Sequence, residues 1–293
     1  MSELDFSALR ETRASNPGAI AQAFEKRRRR ELLGADGKLM IVAADHPARA
    51  ALGIGSEAMA MAHREDLLQR LATALENPGV DGVLATPDVI DDLALLGLLD
   101  NKIVVGSMNR GGLRGASFEM DDRFGAYSIE SIVAAGLDFA KTLTRINFQD
   151  PGTADTLMST ANAVNDAVAA GVPIMIEPFI SEWVEGSISN VLTPEAVIQS
   201  IAVVAALGGS SAYTWLKIPY VADMARVMDS TTLPTLILGG DRAGDMEALY
   251  AEWASALTLP GVRGLVVGRS LLYPASGNTG DAINRAVDIV HGG

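Results

Sequence analysis

"KLMIVAAD", residues 38–45, decides how the rest of the chain is read. Six consecutive apolar residues follow a lysine without the polar alternation of a half-exposed strand, and the run stops on an aspartate. A strand that is apolar at every position is covered on both faces, the condition of a parallel strand with helices on one side and a barrel interior on the other. Seven further runs repeat the pattern: "DGVLATP" (81–87), "KIVVGSM" (102–108), "DFAKTLTRI" (138–146), "VPIMIEPF" (172–179), "YTWLKIP" (213–219), "PTLILGG" (234–240) and "RGLVVGR" (263–269). Between them lie stretches with helix-period apolar residues, such as "SEAMAMAHREDLLQRLATALE" (56–76) and "TADTLMSTANAVNDAVAAG" (153–171), the second closing on Gly171.

Eight strand-helix units over about 230 residues give about 29 residues each, near the roughly 250 typical of a (β/α)8 barrel. Eight parallel strands with no second domain close on themselves more naturally than they form an open doubly wound sheet. The expected fold is therefore α/β, a (β/α)8 TIM barrel over residues 38–293. Residues 1–37 are expected to form an N-terminal helical extension that covers the barrel's N-terminal end or packs on its side.

Composition narrows the chemistry. The chain has 293 residues, 48% hydrophobic and 20% charged, and contains no cysteine. Disulfides, thiolate metal sites and a cysteine nucleophile are excluded. A formal net charge of −13 repels nucleic acid and anionic lipid, though a local cationic pocket can still hold a small phosphorylated ligand. The one basic run, "KRRRR" (26–30), reads as a solvated helix face. The opening "MSELDFSALRETR" has acidic residues where a secretory signal has basic ones, and no apolar run approaches the roughly 20 residues of a membrane span. A soluble, cytoplasmic protein is expected, with no nucleic-acid or membrane partner; a homo-oligomer is compatible with the sequence.

In a barrel, chemistry sits where strands end and the following loops begin. The first run ends in Asp45-His46, the fourth carries Lys141 with Arg145 beyond it, the fifth carries Glu177 and the sixth Lys217. A buried lysine loses hydration, so it either pairs with a carboxylate or drifts toward the neutral amine that attacks carbonyls. Lys141 and Lys217 can accordingly be read as structural ion pairs to Asp45 and Glu177 or as an imine-forming pair. The seventh and eighth runs end in Gly239-Gly240 and Gly268-Arg269. These glycines make tight turns or bring bare amides to a phosphate, with Arg269 as counter-charge. Three histidines, His46, His63 and His291, cannot build a three-histidine zinc site in these positions. A Mg²⁺ site on Asp45 and Glu177 would place the cation beside two lysines. No metal or cofactor is expected. His46 remains a candidate proton carrier or substrate contact.

The aspartate closing the first run, the lysine in "AKTLTR", the glutamate in "MIEPF", the lysine in "WLKIP", then "LGGD" and "GLVVGRSLLYP", together resemble the class I aldolase superfamily. That superfamily includes deoxyribose-phosphate, tagatose-bisphosphate and archaeal-type fructose-bisphosphate aldolases. The similarity spans Lys38 to Pro274 and is closest to a (β/α)8 branch linked with inositol catabolism, of which "GSMNRGGLRGASFEMDDRF" (106–124) is typical. The sequence departs from the archaeal-type fructose-bisphosphate pattern in having Glu177 in place of an aromatic proton donor, and "ADHPARAALG" in place of "DQGFEHG". The resemblance implies that Lys217 forms the Schiff base, that Lys141 lowers its pKa, and that Glu177 and Asp45 move protons. Gly239, Gly240, Gly268 and Arg269 would hold the phosphate. The implied substrate is 2-deoxy-5-keto-gluconate 6-phosphate, whose carboxylate Arg145 or Arg110 would clamp; both also read as surface-loop arginines. Asn109 is a further candidate substrate contact. Another Schiff-base sugar-phosphate aldolase or transferase (fructose- or tagatose-bisphosphate, deoxyribose-phosphate or sulfo-sugar phosphate type) and a non-catalytic phosphosugar-binding barrel are the alternatives.

Overall fold

The computed structural model describes residues 4–109, 112–240 and 246–292. Nine strands occur among them: β1 (Leu39–Ala44), β2 (Gly82–Ala85), β3 (Ile103–Ser107), β4 (Phe139–Ile146), β5 (Ile174–Val184), β6 (Ser187–Asn190), β7 (Thr214–Pro219), β8 (Thr235–Leu238) and β9 (Val262–Val267). All but β6 pair in parallel in the order β4-β3-β2-β1-β9-β8-β7-β5, and β4 also pairs β5, which closes the ring. The architecture is a (β/α)8 barrel, and each of the eight apolar runs supplies one of its strands.

The helices are α1 (Phe6–Ser15), α2 (Ala19–Lys26), α3 (Arg64–Leu75), α4 (Pro87–Leu95), α5 (Ile129–Ala134), α6 (Gly152–Ala170), α7 (Pro194–Ala205), α8 (Met224–Met228), α9 (Met246–Ala256), α10 (Arg269–Leu272) and α11 (Thr279–His291). None is long and apolar enough to cross a membrane. Gly171 ends α6 in the left-handed conformation, φ 67°, as its place after the helical pattern requires.

Successive strand residues face opposite sides. Met40, Val42 and Ala44 join the layer under the helices, while Leu39, Ile41 and Ala43 join Leu84, Ile103, Val105, Phe139, Met175, Trp215, Leu236 and Val266 in the barrel interior. Phe139 and Trp215 meet there edge to face, ring centroids 5.5 Å apart. The same alternation carries the interior phase from Ala43 to Asp45, from Val105 to Ser107, from Phe139 to Lys141, from Met175 to Glu177 and from Trp215 to Lys217. The apolar lower half of the barrel thus aims five polar side chains into its upper half.

Two features differ from expectation. The "KRRRR" run is not a solvated helix face. α2 ends at Lys26, and Arg27 to Arg30 run outside any helix across the strands' N-terminal ends. Arg27 bonds the Lys102 carbonyl and Asp138 Oδ2, Arg28 pairs with Asp100, Arg29 with Asp138 Oδ1 and Arg30 with Asp81. Each of these aspartates lies just before a barrel strand, so the basic run neutralises carboxylates that the strand starts collect. Leu32 and Leu33 then pack against the interior cluster at that end, while α2 lies on α4 at the barrel's flank.

The second difference is a hairpin. β5 continues past the barrel rim and folds back antiparallel through β6. Glu185 (φ 49°) and Gly186 (φ 80°) both take positive φ, as a two-residue turn matching the strand twist requires.

Candidate active site

The C-terminal end of the barrel opens into a cavity of about 450 Å³. Four ionised side chains form a continuous chain within it. Asp45 Oδ2 accepts from Lys141 Nζ at 2.9 Å, Lys141 Nζ lies 2.6 Å from Glu177 Oε2, and Glu177 Oε1 accepts from Lys217 Nζ at 2.9 Å. All four are at most 9% exposed. Ser107 Oγ adds a longer bond to Asp45 Oδ2, 3.4 Å. Two positive and two negative charges balance, which lets the group exist away from water.

The two lysines are not equivalent. Burial pushes Lys217 below the ordinary lysine range and the neighbouring Lys141 charge adds to this, against the pull of Glu177. Burial also opposes the charge on Lys141, but Asp45 and Glu177 both bond it and hold it above the ordinary range. On the acidic side burial works against ionisation, yet the two ammonium groups outweigh it and keep Asp45 and Glu177 below the usual carboxylate range. The arrangement favours the charge on Lys141 over that on Lys217.

His46 lies beside Asp45, its Nδ1 3.9 Å from Oδ1 and buried without a hydrogen-bond partner among the described residues. Desolvation pushes its pKa down to about 3, with the Arg269 charge contributing, so the imidazole is neutral at physiological pH. His63 instead caps α3, and His291 bonds Asp36 and Asp81; neither lines the cavity. Among the described residues no group of three or more histidine, aspartate or glutamate side chains could hold a metal ion.

Gly239, Gly240, Gly268 and Arg269 all line the same cavity. Two of the glycines have a packing reason as well. A Cβ at Gly268 would lie 2.3 Å from the Ala43 carbonyl oxygen, and one at Gly239 would lie 2.5 Å from Val267 Cγ1. Gly240 differs: its φ is +67°, and among the described residues nothing lies within 4 Å of where its Cβ would be.

Two expected substrate contacts make extensive bonds within the protein. Asn109 donates Nδ2 to the Leu143 carbonyl at 2.6 Å and accepts from Leu143 N at 2.8 Å, which pins the end of β3 to β4, and it does not line the cavity. Arg145 is 3% exposed rather than on a surface loop. Its Nε and Nη2 grip both oxygens of Asp122 at 2.8 and 2.7 Å, and Nη1 reaches Glu119 Oε1 at 3.3 Å. A guanidinium so engaged anchors the loop between β3 and α5, although Arg145 also lines the cavity. Arg110 lies outside the described residues.

The cavity wall also holds residues that the strand-end pattern did not mark. Arg49 lies in the one-turn helix after β1 (His46–Arg49), and Arg114 in the loop that Arg145 anchors. Ile188, Ser189, Asn190 and Leu192 come from the hairpin and the segment after it, Phe179 from β5 and Tyr220 from the end of β7.

Residues 37–287 match the model of the Cgl0159-like family. The chain belongs to that family. The crystal structure of Cgl0159 from Corynebacterium glutamicum (Brevibacterium flavum) is 62% identical, covers 98% of this chain and 97% of its own, and superposes with a TM-score of 0.96. More distant barrels share the fold. An archaeal fructose-1,6-bisphosphate aldolase, with its catalytic lysine covalently bound to the carbinolamine intermediate of the substrate, is 19% identical over 92% of this chain and 99% of its own, TM-score 0.66. The fructose-bisphosphate aldolase from Slackia heliotrinireducens is 14% identical over 100% and 94%, TM-score 0.60. No curated protein matches the chain. This member of the Cgl0159-like family therefore shares the (β/α)8 barrel fold of those aldolases.

Proposed function

We propose that this chain is a class I aldolase that cleaves a phosphorylated keto sugar acid through an imine on Lys217. The observation that carries this reading is the unequal pair of buried lysines bridged by Glu177, with the more acidic of them, Lys217, lining a cavity that Gly239, Gly240 and Arg269 also line. The fold shared with an aldolase captured on its own catalytic lysine adds support.

The chemistry follows from the geometry. Glu177, 2.9 Å from Lys217 Nζ, is placed to take the ammonium proton. The freed amine attacks the substrate ketone, and loss of water leaves a protonated imine. Lys141, held cationic by Asp45 and Glu177, keeps the nucleophile's basicity low without competing for the carbonyl. A carboxylate of the quartet then takes the proton of the hydroxyl two carbons from the imine. The carbon-carbon bond between them breaks, its electron pair passing into the imine as an enamine, and an aldehyde leaves. Protonation of the enamine and hydrolysis of the imine release the second product and restore Lys217.

For 2-deoxy-5-keto-gluconate 6-phosphate, the substrate that fits the resemblance to the inositol-linked branch, the products are malonate semialdehyde and dihydroxyacetone phosphate. The test is borohydride reduction in the presence of substrate and excess EDTA, followed by peptide mass mapping. The reading expects the reduced adduct on the peptide carrying Lys217, and neither adduct nor turnover in Lys217→Met. Turnover without any lysine adduct would overturn it.

A further inference from the structure

Arg49 is a half-buried guanidinium on the cavity wall that makes no ion pair among the described residues. Such a group is costly unless an anion meets it part of the time. Burial and the like charge of Arg145 hold the Arg49 pKa below its ordinary value, against the pull of Asp122, Glu177 and Asp45. Arg145 itself is committed to Asp122 and Glu119. The Arg114 amide donates to the Arg49 carbonyl at 3.0 Å, so the β1 turn and the β3–α5 loop are stitched together with both arginines lining the cavity.

The two ends of that turn face different ways. His46, at its start, meets Gly268 after β9 and feels the Arg269 charge. Arg49, at its end, feels Arg145 and Asp122 on the β4 side and is bonded through its backbone to Arg114. Arg49, Arg114 and Arg145, with the single carboxylate Glu119, thus line a wall apart from the cavity's glycine-lined β8–β9 side, with the lysine quartet reaching across the barrel interior.

We propose that Arg49, with Arg114 beside it, binds a second terminal oxyanion of the substrate, a carboxylate or phosphate at the end of the chain remote from the group held at Gly239, Gly240 and Arg269. This rests on the reading of the cavity as a phosphosugar site and deepens it, making the ligand an open-chain molecule anionic at both ends. Arg145 then acts as a positioning residue, fixing the loop that carries Arg114.

The test avoids imine chemistry by measuring calorimetric binding of ligands that have no carbonyl: 6-phosphogluconate, hexitol 1,6-bisphosphate and glucitol 6-phosphate. The wild-type protein is expected to bind at least one of the two doubly anionic probes more tightly than glucitol 6-phosphate. Arg49→Ala should weaken that probe by about 30-fold or more and glucitol 6-phosphate by less than about 3-fold, as expected for removing one partner of a desolvated charge pair. Whether 6-phosphogluconate or the bisphosphate shows the loss assigns the oxyanion as carboxylate or phosphate. Arg49→Lys, which keeps the charge and loses the fork, should fall between, and it serves as the reference if Arg49→Ala does not fold. Equal loss on all three probes, or no wild-type preference for a second anion, overturns the proposal. Absence of a borohydride adduct on Lys217 would fell the aldolase reading and leave this binding result standing.

Discussion

Glu177 accepts from Lys217 Nζ at 2.9 Å through one carboxylate oxygen while the other, Oε2, lies 2.6 Å from Lys141. A single side chain thereby couples Lys217, the proposed nucleophile, to Lys141, the cation proposed to tune it. Lys141 also has Asp45, whereas among the described residues Glu177 is the one carboxylate bonded to Lys217. The proton is therefore held less firmly on Lys217, and the asymmetry resides in how the two carboxylates are shared.

Replacing Lys141 with Met should raise the Lys217 pKa, because a cation that disfavours a second charge is gone. The acidic limb of the kcat/KM against pH profile should move to higher pH, and turnover at pH 7 should fall by about 10²-fold, within the range that acid-base catalysis spans. Borohydride labelling should remain on Lys217. A profile that drops in height without moving would show that Lys141 orients substrate and does not tune the nucleophile.

Arg145→Ala should act on stability before it acts on substrate. Asp122 is fully buried and would lose the guanidinium that grips both its oxygens, a change that costs about 3–5 kcal/mol. Denaturant unfolding should show the loss directly. Arg145→Ala with normal stability and a selective rise in KM would restore Arg145 as a substrate clamp.

The barrel was legible because parallel strands advertise themselves: runs such as Leu39–Ala44 are apolar throughout, and their spacing admits eight units. Lys141, Glu177 and Lys217 were legible for the same reason, as charges inside apolar runs, and the alternation of strand side chains fixes that they face inward. What depends on irregular backbone was not. Asn109 and Arg145 read as substrate contacts because their partners, Leu143, Asp122 and Glu119, are brought to them by a loop path that no periodicity encodes. Strand β6 hid in "SISN", too short and polar to stand out, although Glu185-Gly186 before it carried a turn signal. Arg49 sat in plain view four residues after Asp45. Its lack of an ion-pair partner among the described residues is a three-dimensional fact that the sequence does not carry.

Stability should depend on pH through the quartet's carboxylates. Asp45 and Glu177 ionise below their ordinary range in the folded chain, while the unfolded chain takes up these protons near pH 4. Groups with depressed folded pKa values stabilise above the unfolded pKa, and the contribution is lost as pH falls toward the folded one. The wild-type Tm should therefore decline from about pH 5 downward, and Asp45→Asn, which cannot titrate at that position, should decline less steeply. Parallel curves from pH 7 to pH 3 would mean that Asp45 is not the carboxylate that Lys141 holds ionised.

The phosphate assignment is tested at Arg269, which lines the cavity with Gly239 and Gly240 and carries the charge that helps keep His46 neutral. A guanidinium bonded to a phosphate contributes only when the phosphate is there. Arg269→Ala should lower kcat/KM for a phosphorylated substrate by about 10²-fold and change that for the dephosphorylated analogue by only a few-fold, since charge-assisted bonds of this kind are worth about 1.5–3 kcal/mol. Inorganic phosphate should compete with substrate in the wild-type enzyme and lose that effect in the variant. The His46 pKa, followed by NMR, should rise in Arg269→Ala because a nearby cation has been removed. A raised His46 pKa together with equal losses on both substrates would keep Arg269 beside His46 and remove it from the phosphate site.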